Sequence, residues 1–149
     1  FQEVFDNGGF DIVIANPPYV EFKNLDKQIK DELEPLYPTL KGKYDIYIAF
    51  SELYVRILKD GGVTVSIHPT RFMQRDYGTE IRNYLVSNTK IISIVDFVDK
   101  QIFENALAYT GIFILKKEKF SSQNFSYRRA LSNKLMSSVL NQIQKYLII

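Results

Sequence analysis

The run Asn16-Pro17-Pro18-Tyr19 is where residue types and order could do chemistry by themselves. The Asn16 side-chain oxygen accepts hydrogen bonds, and Pro17, which lacks an N–H, keeps its backbone carbonyl as a neighbouring acceptor. Proline rings fix φ, so both acceptors sit on a stiff segment before any ligand arrives. Tyr19 adds a flat ring on which a planar amide or heterocycle can lie. These groups together describe a clamp for an R–NH2 group. The lone pair of such a nitrogen is delocalised while the group is planar and becomes nucleophilic as the nitrogen pyramidalises. Acceptors that suit the developing ammonium better than the flat ground state lower the barrier to attack on a carbon electrophile. No strong base is needed first, because the cationic product releases its proton readily.

Composition narrows the other chemistries. The 149 residues include no cysteine and one histidine, which excludes disulfides, thiolate nucleophiles and Cys-based zinc sites and makes a built-in metal centre an unpromising reading. His68 reads as structural, since no acid or nucleophile is placed with it. A formal net charge of +2, with lysines and arginines scattered along the chain, neither requires nor forbids a nucleic-acid partner. The apolar runs are too short to span a bilayer and the start has no signal-peptide pattern, so a cytoplasmic location is expected. The chain opens on Phe1 and closes on "QKYLII", which reads as a piece of something longer.

The elements that must position the clamp follow from periodicity. Residues 10–15 carry a β-branched run suited to a strand covered on both faces, and the prolines must stop it near Asn16. Phe22, Leu25, Ile29 and Leu33 recur at helical spacing in a surface segment. Asp45 can cap a helix whose buried face is Phe50, Leu53, Tyr54, Ile57 and Leu58, with Gly61 and Gly62 marking its end. Strands are expected at 63–67, 91–97 and 110–115, with a helix around Ile81 and Leu85. The link between the last two strands has no evident helix, so the final strand is expected to run antiparallel. From Ser132 a last amphipathic helix is expected. The loops after the strands, including residues 16–19 and 68–72, should share the carboxyl edge of the sheet, where α/β folds bind ligands.

"NPPY" after "FDIVIA" resembles the amino-methyltransferase signature of S-adenosylmethionine-dependent enzymes. "GKYDIYIAFSELYVRILKDGGVTVSIHPTRF" looks like the segment that follows it in DNA adenine-N6 methyltransferases, especially those of fused type II restriction-modification enzymes, and "IFENALAYTGIFILKK" looks like their last strand. The resemblance implies that Asn16 and the Pro17 carbonyl accept from adenine N6, that Pro18 holds the loop and that Tyr19 stacks on the base. It implies that Phe103 contacts the flipped adenine from another side, and that Asp45 and Phe50 help wall the cofactor and base pocket. Arg71, after the second strand on the active edge, is a candidate for a phosphate.

The partner so implied is double-stranded DNA and the cofactor S-adenosylmethionine, with no metal. The fold implied is α/β, the C-terminal half of a class I methyltransferase, a mixed sheet with strand order 4-5-7-6. The Gly-rich turn and acidic residue that hold the cofactor in this family are missing upstream of Asn16. Residues 1–120 are accordingly expected to be a partial catalytic domain and 121–149 an amphipathic segment leading to a target-recognition domain. The first strand would be an exposed edge, which predicts self-association. A glutamine carboxamide is also a flat NH2 group, so a release-factor glutamine-N5 methyltransferase is the alternative enzyme. A non-catalytic fragment, inactive without its missing half, is the alternative of another kind. For Tyr54 and Phe72 core packing is the better reading, and Lys116, Lys117 and Lys119 read as a solvated strand exit.

Overall fold

In the computed structural model of the chain, residues 1–97, 109–119 and 124–129 are described. Helix α1 (Gln2–Asp6) leads into β1 (Phe10–Ala15), whose ladder ends where Pro17 removes a donor. A 3-10 turn at Phe22–Asn24 and helix α2 (Lys27–Leu33) follow, then α3 (Tyr47–Ile57), β2 (Leu58–Pro69), α4 (Thr79–Asn88), β3 (Thr89–Asp96), β4 (Thr110–Lys117) and β5 (Ser126–Arg129). Phe22 and Leu25 therefore precede α2 and do not continue its stripe.

The five described strands join one mixed sheet in the order β1-β2-β4-β3-β5. Strands β1 and β2 are parallel, with Ala15 opposite Ser66. Strand β4 runs antiparallel to both neighbours, placing Val65 opposite Ile114 and Ile94 opposite Phe113. The absence of a crossover helix before the last expected strand pointed to this direction. Strand β5, parallel to β3, was not anticipated: its burial is slight, so periodicity carried little signal. The helix expected from Ser132 lies outside the described residues.

The core lies where α3 and α4 cover the sheet, with Tyr47, Ile48, Phe72, Ile81, Leu85 and Phe113 among its buried side chains. Tyr54 and Phe72 are core residues as expected. Helix α3 passes into β2 without a loop, so the strand begins at Leu58, ahead of the glycines expected to end the helix. Asp45 does not cap α3: the N-cap is Ile46, without a side-chain bond, because the carboxylate is occupied by Tyr77. Lys117 is also not free in solvent, since its Nζ donates to the Arg56 carbonyl at 3.2 Å and ties the end of α3 to β4.

A buried acid holds the 34–44 segment on α3. Glu52, 1% exposed, accepts from Thr39 Oγ1 at 2.6 Å and from Thr39 N at 3.3 Å, and pairs with Arg56. Arg56 reaches the Leu36 carbonyl at 2.8 Å and lies 5.0 Å from the Tyr37 ring centre. At the far side, β1 is a sheet edge on which Ile14 is 67% exposed. No helix among the described residues is long and apolar enough to cross a membrane.

Candidate active site

Asn16 follows the last β1–β2 pair and is exposed, Pro17 is buried and Pro18 is exposed. The side chain of Asn16 and the carbonyl of Pro17 have no hydrogen-bond partner among the described residues. Tyr19 is half-buried and donates its hydroxyl to the Ile67 carbonyl at 3.1 Å, so its ring is tied to the end of β2. Burial pushes that phenol up to about 12, which keeps it a donor at neutral pH. Beyond it, the Val20 carbonyl accepts from Ile46 N at 3.0 Å and Glu21 bridges Asp45. The motif is thus braced by β2 on one side and by the approach to α3 on the other, while two acceptors remain open.

Burial pushes the Tyr54 phenol up to about 12, and the nearby Tyr19 adds to that rise. Phe50 packs beside Tyr54, with 6.2 Å between ring centres. These rings lie apart from a second feature, an open cavity of about 930 Å³ that begins at Glu21.

Asp45, Arg71, Tyr77 and Tyr109 line that cavity, and residues 16–19 and Phe50 do not. Asp45 Oδ2 accepts from Tyr77 at 3.2 Å, and the Tyr77 hydroxyl meets that of Tyr47 at 3.0 Å. Burial raises the Asp45 carboxyl, and the Tyr77 hydrogen bond opposes the rise. Glu21 binds Lys23 at 2.8 Å and lies 3.6 Å from Arg71, and these cations hold its carboxyl below the usual range. The structure therefore brings Asp45 and Arg71 to one cavity, leaves Phe50 with Tyr54, and gives no view of Phe103, which is outside the described residues. Sequence reasoning passed over Tyr77 and Tyr109. Their only signal was position, in loops that adjoin the carboxyl edge of the sheet.

The sheet and its helices define a class I S-adenosylmethionine-dependent methyltransferase-like α/β fold. A class I methyltransferase structure from Listeria monocytogenes superposes with a TM-score of 0.62 at 18% identity, covering 91% of this chain and 42% of that one. Residues 1–103 match the Eco57I restriction-modification methylase family, and the chain belongs to it. The type II restriction enzyme and methyltransferase RM.Eco57I of Escherichia coli is 32% identical over 124 residues, 81% of this chain and 12% of its own length. The type II methyltransferase M.BanIII of Aneurinibacillus aneurinilyticus is 36% identical over 107 residues, 72% of this chain and 18% of its own length. The chain thus spans less than a fifth of either relative.

The described residues fit the methyl donor only in part. The rings of Phe50 and Tyr54 could wall a planar group beside Tyr19. The glycines with positive φ are Gly8, Gly9, Gly42 and Gly61, and none of them makes a turn from a strand's carboxyl end into a helix. A backbone cradle for the donor's methionine moiety is therefore absent among the described residues. No group of side chains among them could hold a metal ion.

Proposed function

We propose that the protein containing this chain is a site-specific DNA adenine-N6 methyltransferase of a type II restriction-modification system, using S-adenosylmethionine. The observation that carries this reading is the pair of open acceptors, Asn16 and the Pro17 carbonyl, on a segment fixed by proline and by the Tyr19 bond to Ile67. In this role the two acceptors draw on the target amino group as it pyramidalises, Pro18 keeps the loop stiff, and Tyr19 offers its ring to the flipped base. Phe103 completes the base contacts, Phe50 walls the base side beside Tyr54, Asp45 walls the neighbouring cavity, and Arg71 meets a phosphate. S-adenosylmethionine supplies the electrophilic methyl group. Strands β1, β2, β4 and β3 would occupy positions 4, 5, 7 and 6 of the family's sheet, with β5 added beyond them. On this reading residues 1–120 are part of a catalytic domain that works in the cytoplasm, and 121–149 lead toward target recognition. The free β1 edge would pair with further strands, or with a second copy when those are missing.

The clamp also suits a glutamine carboxamide, and the cations around the neighbouring cavity favour DNA over that substrate. Labelled methyl transfer by the full-length protein, offered DNA and release factor in parallel, is expected to mark DNA. Labelling of the release factor alone would overturn the reading. Asn16→Ala should slow DNA methylation by about 100-fold or more, since it removes a charge-stabilising partner in the transition state. Cofactor binding, measured by calorimetry, should be unchanged, and wild-type turnover in the variant would refute the clamp.

A further inference from the structure

We propose that the cavity beyond residues 16–19 is a subsite for the nucleotide next to the one being modified. Lys43, Arg71 and Arg75 take its phosphates and the Tyr109 ring stacks on its base. The inference rests on the DNA reading above and adds a route for the substrate strand.

The charges around this cavity are unequally occupied. Its carboxylates already have partners: Glu21 binds Lys23 at 2.8 Å, Asp45 accepts from Tyr77 at 3.2 Å, and Asp96 accepts from Tyr127 at 2.7 Å. Lys43 and Arg75 are exposed and have no ion-pair partner among the described residues. Arg71 lies 3.6 Å from Glu21, longer than a charge-assisted hydrogen bond, and so retains donors for another anion. The cavity thus presents cations that are free to move onto an oxyanion, over anions that are already satisfied.

The supporting backbone is held in place. Arg82 Nη1 donates to the Arg75 carbonyl at 2.8 Å, bracing the turn that carries both arginines. A Cβ at Gly78 would come within 1.9 Å of the Phe72 carbonyl oxygen, so this turn closes on itself more tightly than any other residue allows. Lys43 adjoins Tyr44, which is 1% exposed.

Tyr109 supplies the ring. It is 51% exposed, yet its carbonyl accepts from Thr70 N at 2.9 Å and from Thr70 Oγ1 at 3.3 Å. An aromatic side chain that faces solvent from a pinned backbone, beside unpaired cations, has the make-up of a stacking platform for single-stranded nucleic acid. A cavity of about 930 Å³ is large enough for one nucleotide with its phosphates.

The test uses the full-length protein and a fluorescent single strand of mixed sequence, with binding followed from low to moderate salt. Lys43→Gln and Arg75→Gln should each reduce the slope of log affinity against log salt by about 0.7, the share of one phosphate contact on a single strand. Tyr109→Ala should weaken binding roughly 5- to 100-fold at every salt concentration with the slope retained, and Tyr109→Phe should restore it. These positions are exposed, and thermal melting recorded alongside should superpose on wild type. Unchanged slopes in both charge variants, or equal loss in Tyr109→Ala and Tyr109→Phe, would overturn the subsite. If those results come while the wild-type protein methylates DNA and Asn16→Ala slows that reaction as expected, the subsite fails and the DNA reading stands. If the wild-type protein methylates release factor and not DNA, the reading fails and the subsite with it.

Discussion

His68 lies flat between two rings, 4.3 Å from the Phe113 centre at 3° and 5.3 Å from the Tyr47 centre at 18°. Its Nδ1 sits 3.2 Å from the Pro69 carbonyl, a contact that suits the tautomer with its proton on Nδ1. Burial lowers its pKa from 6.5 to about 4, against the opposing pull of the Pro69 contact. The folded imidazole is therefore neutral at pH 7. Between about pH 6.5 and 4 the unfolded chain binds a proton that the folded chain refuses, so this contribution to stability is complete above 6.5 and declines as pH falls. The loss should be on the order of 3 kcal/mol once pH has fallen to about 4. His68→Phe keeps a ring in the stack and removes the titration, so urea midpoints measured from pH 7 to 4 should fall less steeply than in wild type. Parallel slopes would rule His68 out as the source. A structural part for this residue was legible in the sequence, which offered no acid or nucleophile beside it. The stack itself was not, because Phe113 arrives from a strand 45 residues later in the chain, numbered 113 against 68.

Among the elements, α3, α4 and the antiparallel β4 could be read as elements from periodicity and from prolines, because each buries a face. The face of α3 differs from the expected one: Tyr47, Ile48 and Val55 are buried with Tyr54, whereas Phe50, Leu53 and Ile57 are only half-buried and Leu58 already belongs to β2. Strand β1 could be read from its β-branched run and the prolines that end it, but among the described residues it is an edge with no buried residue and is not covered on both faces. The boundary between α3 and β2 could not be read. Lys59, Gly61 and Gly62 look like a helix stop, yet residues 58–60 already belong to β2, where Phe10 pairs with Leu58 and Asp11 forms an ion pair with Lys59. Long-range pairing overrides local propensity there. The motif at 16–19 was legible for the opposite reason: its stiffness is local, and residue types alone specify two acceptors and a ring. Asp45 looked like a cap because its helix follows directly, and only the tertiary structure shows that Tyr77 takes the carboxylate. The Glu52 pairing with Thr39 and Arg56 was equally hidden, since a glutamate within a helix usually faces water. Glu52→Ala would leave the buried Thr39 hydroxyl and amide without their acceptor, and should destabilise the fold by about 1–3 kcal/mol in urea titration. A smaller change, within 0.5 kcal/mol, would mean that water replaces the carboxylate.

For the molecule as a whole, the two borders of the sheet differ. Among the described residues, β5 forms one border with a short run of mostly exposed residues, whereas β1 has no strand on its other side and carries the exposed Ile14. An unpaired edge of this kind recruits another strand unless a charge or a bulge prevents it, and here the charge, Asp11, lies at the irregular start of β1 and is engaged by Lys59. The 149-residue chain alone should therefore sediment as a concentration-dependent dimer or larger species, and Ile14→Lys should shift it toward monomer. A monomer at every concentration for the unmodified chain would show that the edge is already protected. Donor binding belongs to the same scale, because the described residues present two open acceptors beside Tyr19 and lack a cradle for a methionine moiety.

The direct passage from α3 into β2 has a mechanical consequence. With no flexible linker between Ile57 and Leu58, helix and strand behave as the two arms of one bent lever. The segment around Tyr19 is fastened near both far ends, to Ile67 on the strand and, through Val20, to Ile46 beside the helix start. It is a crossbar on that lever, so a force that spreads the two arms meets resistance at the crossbar before it can disturb Asn16.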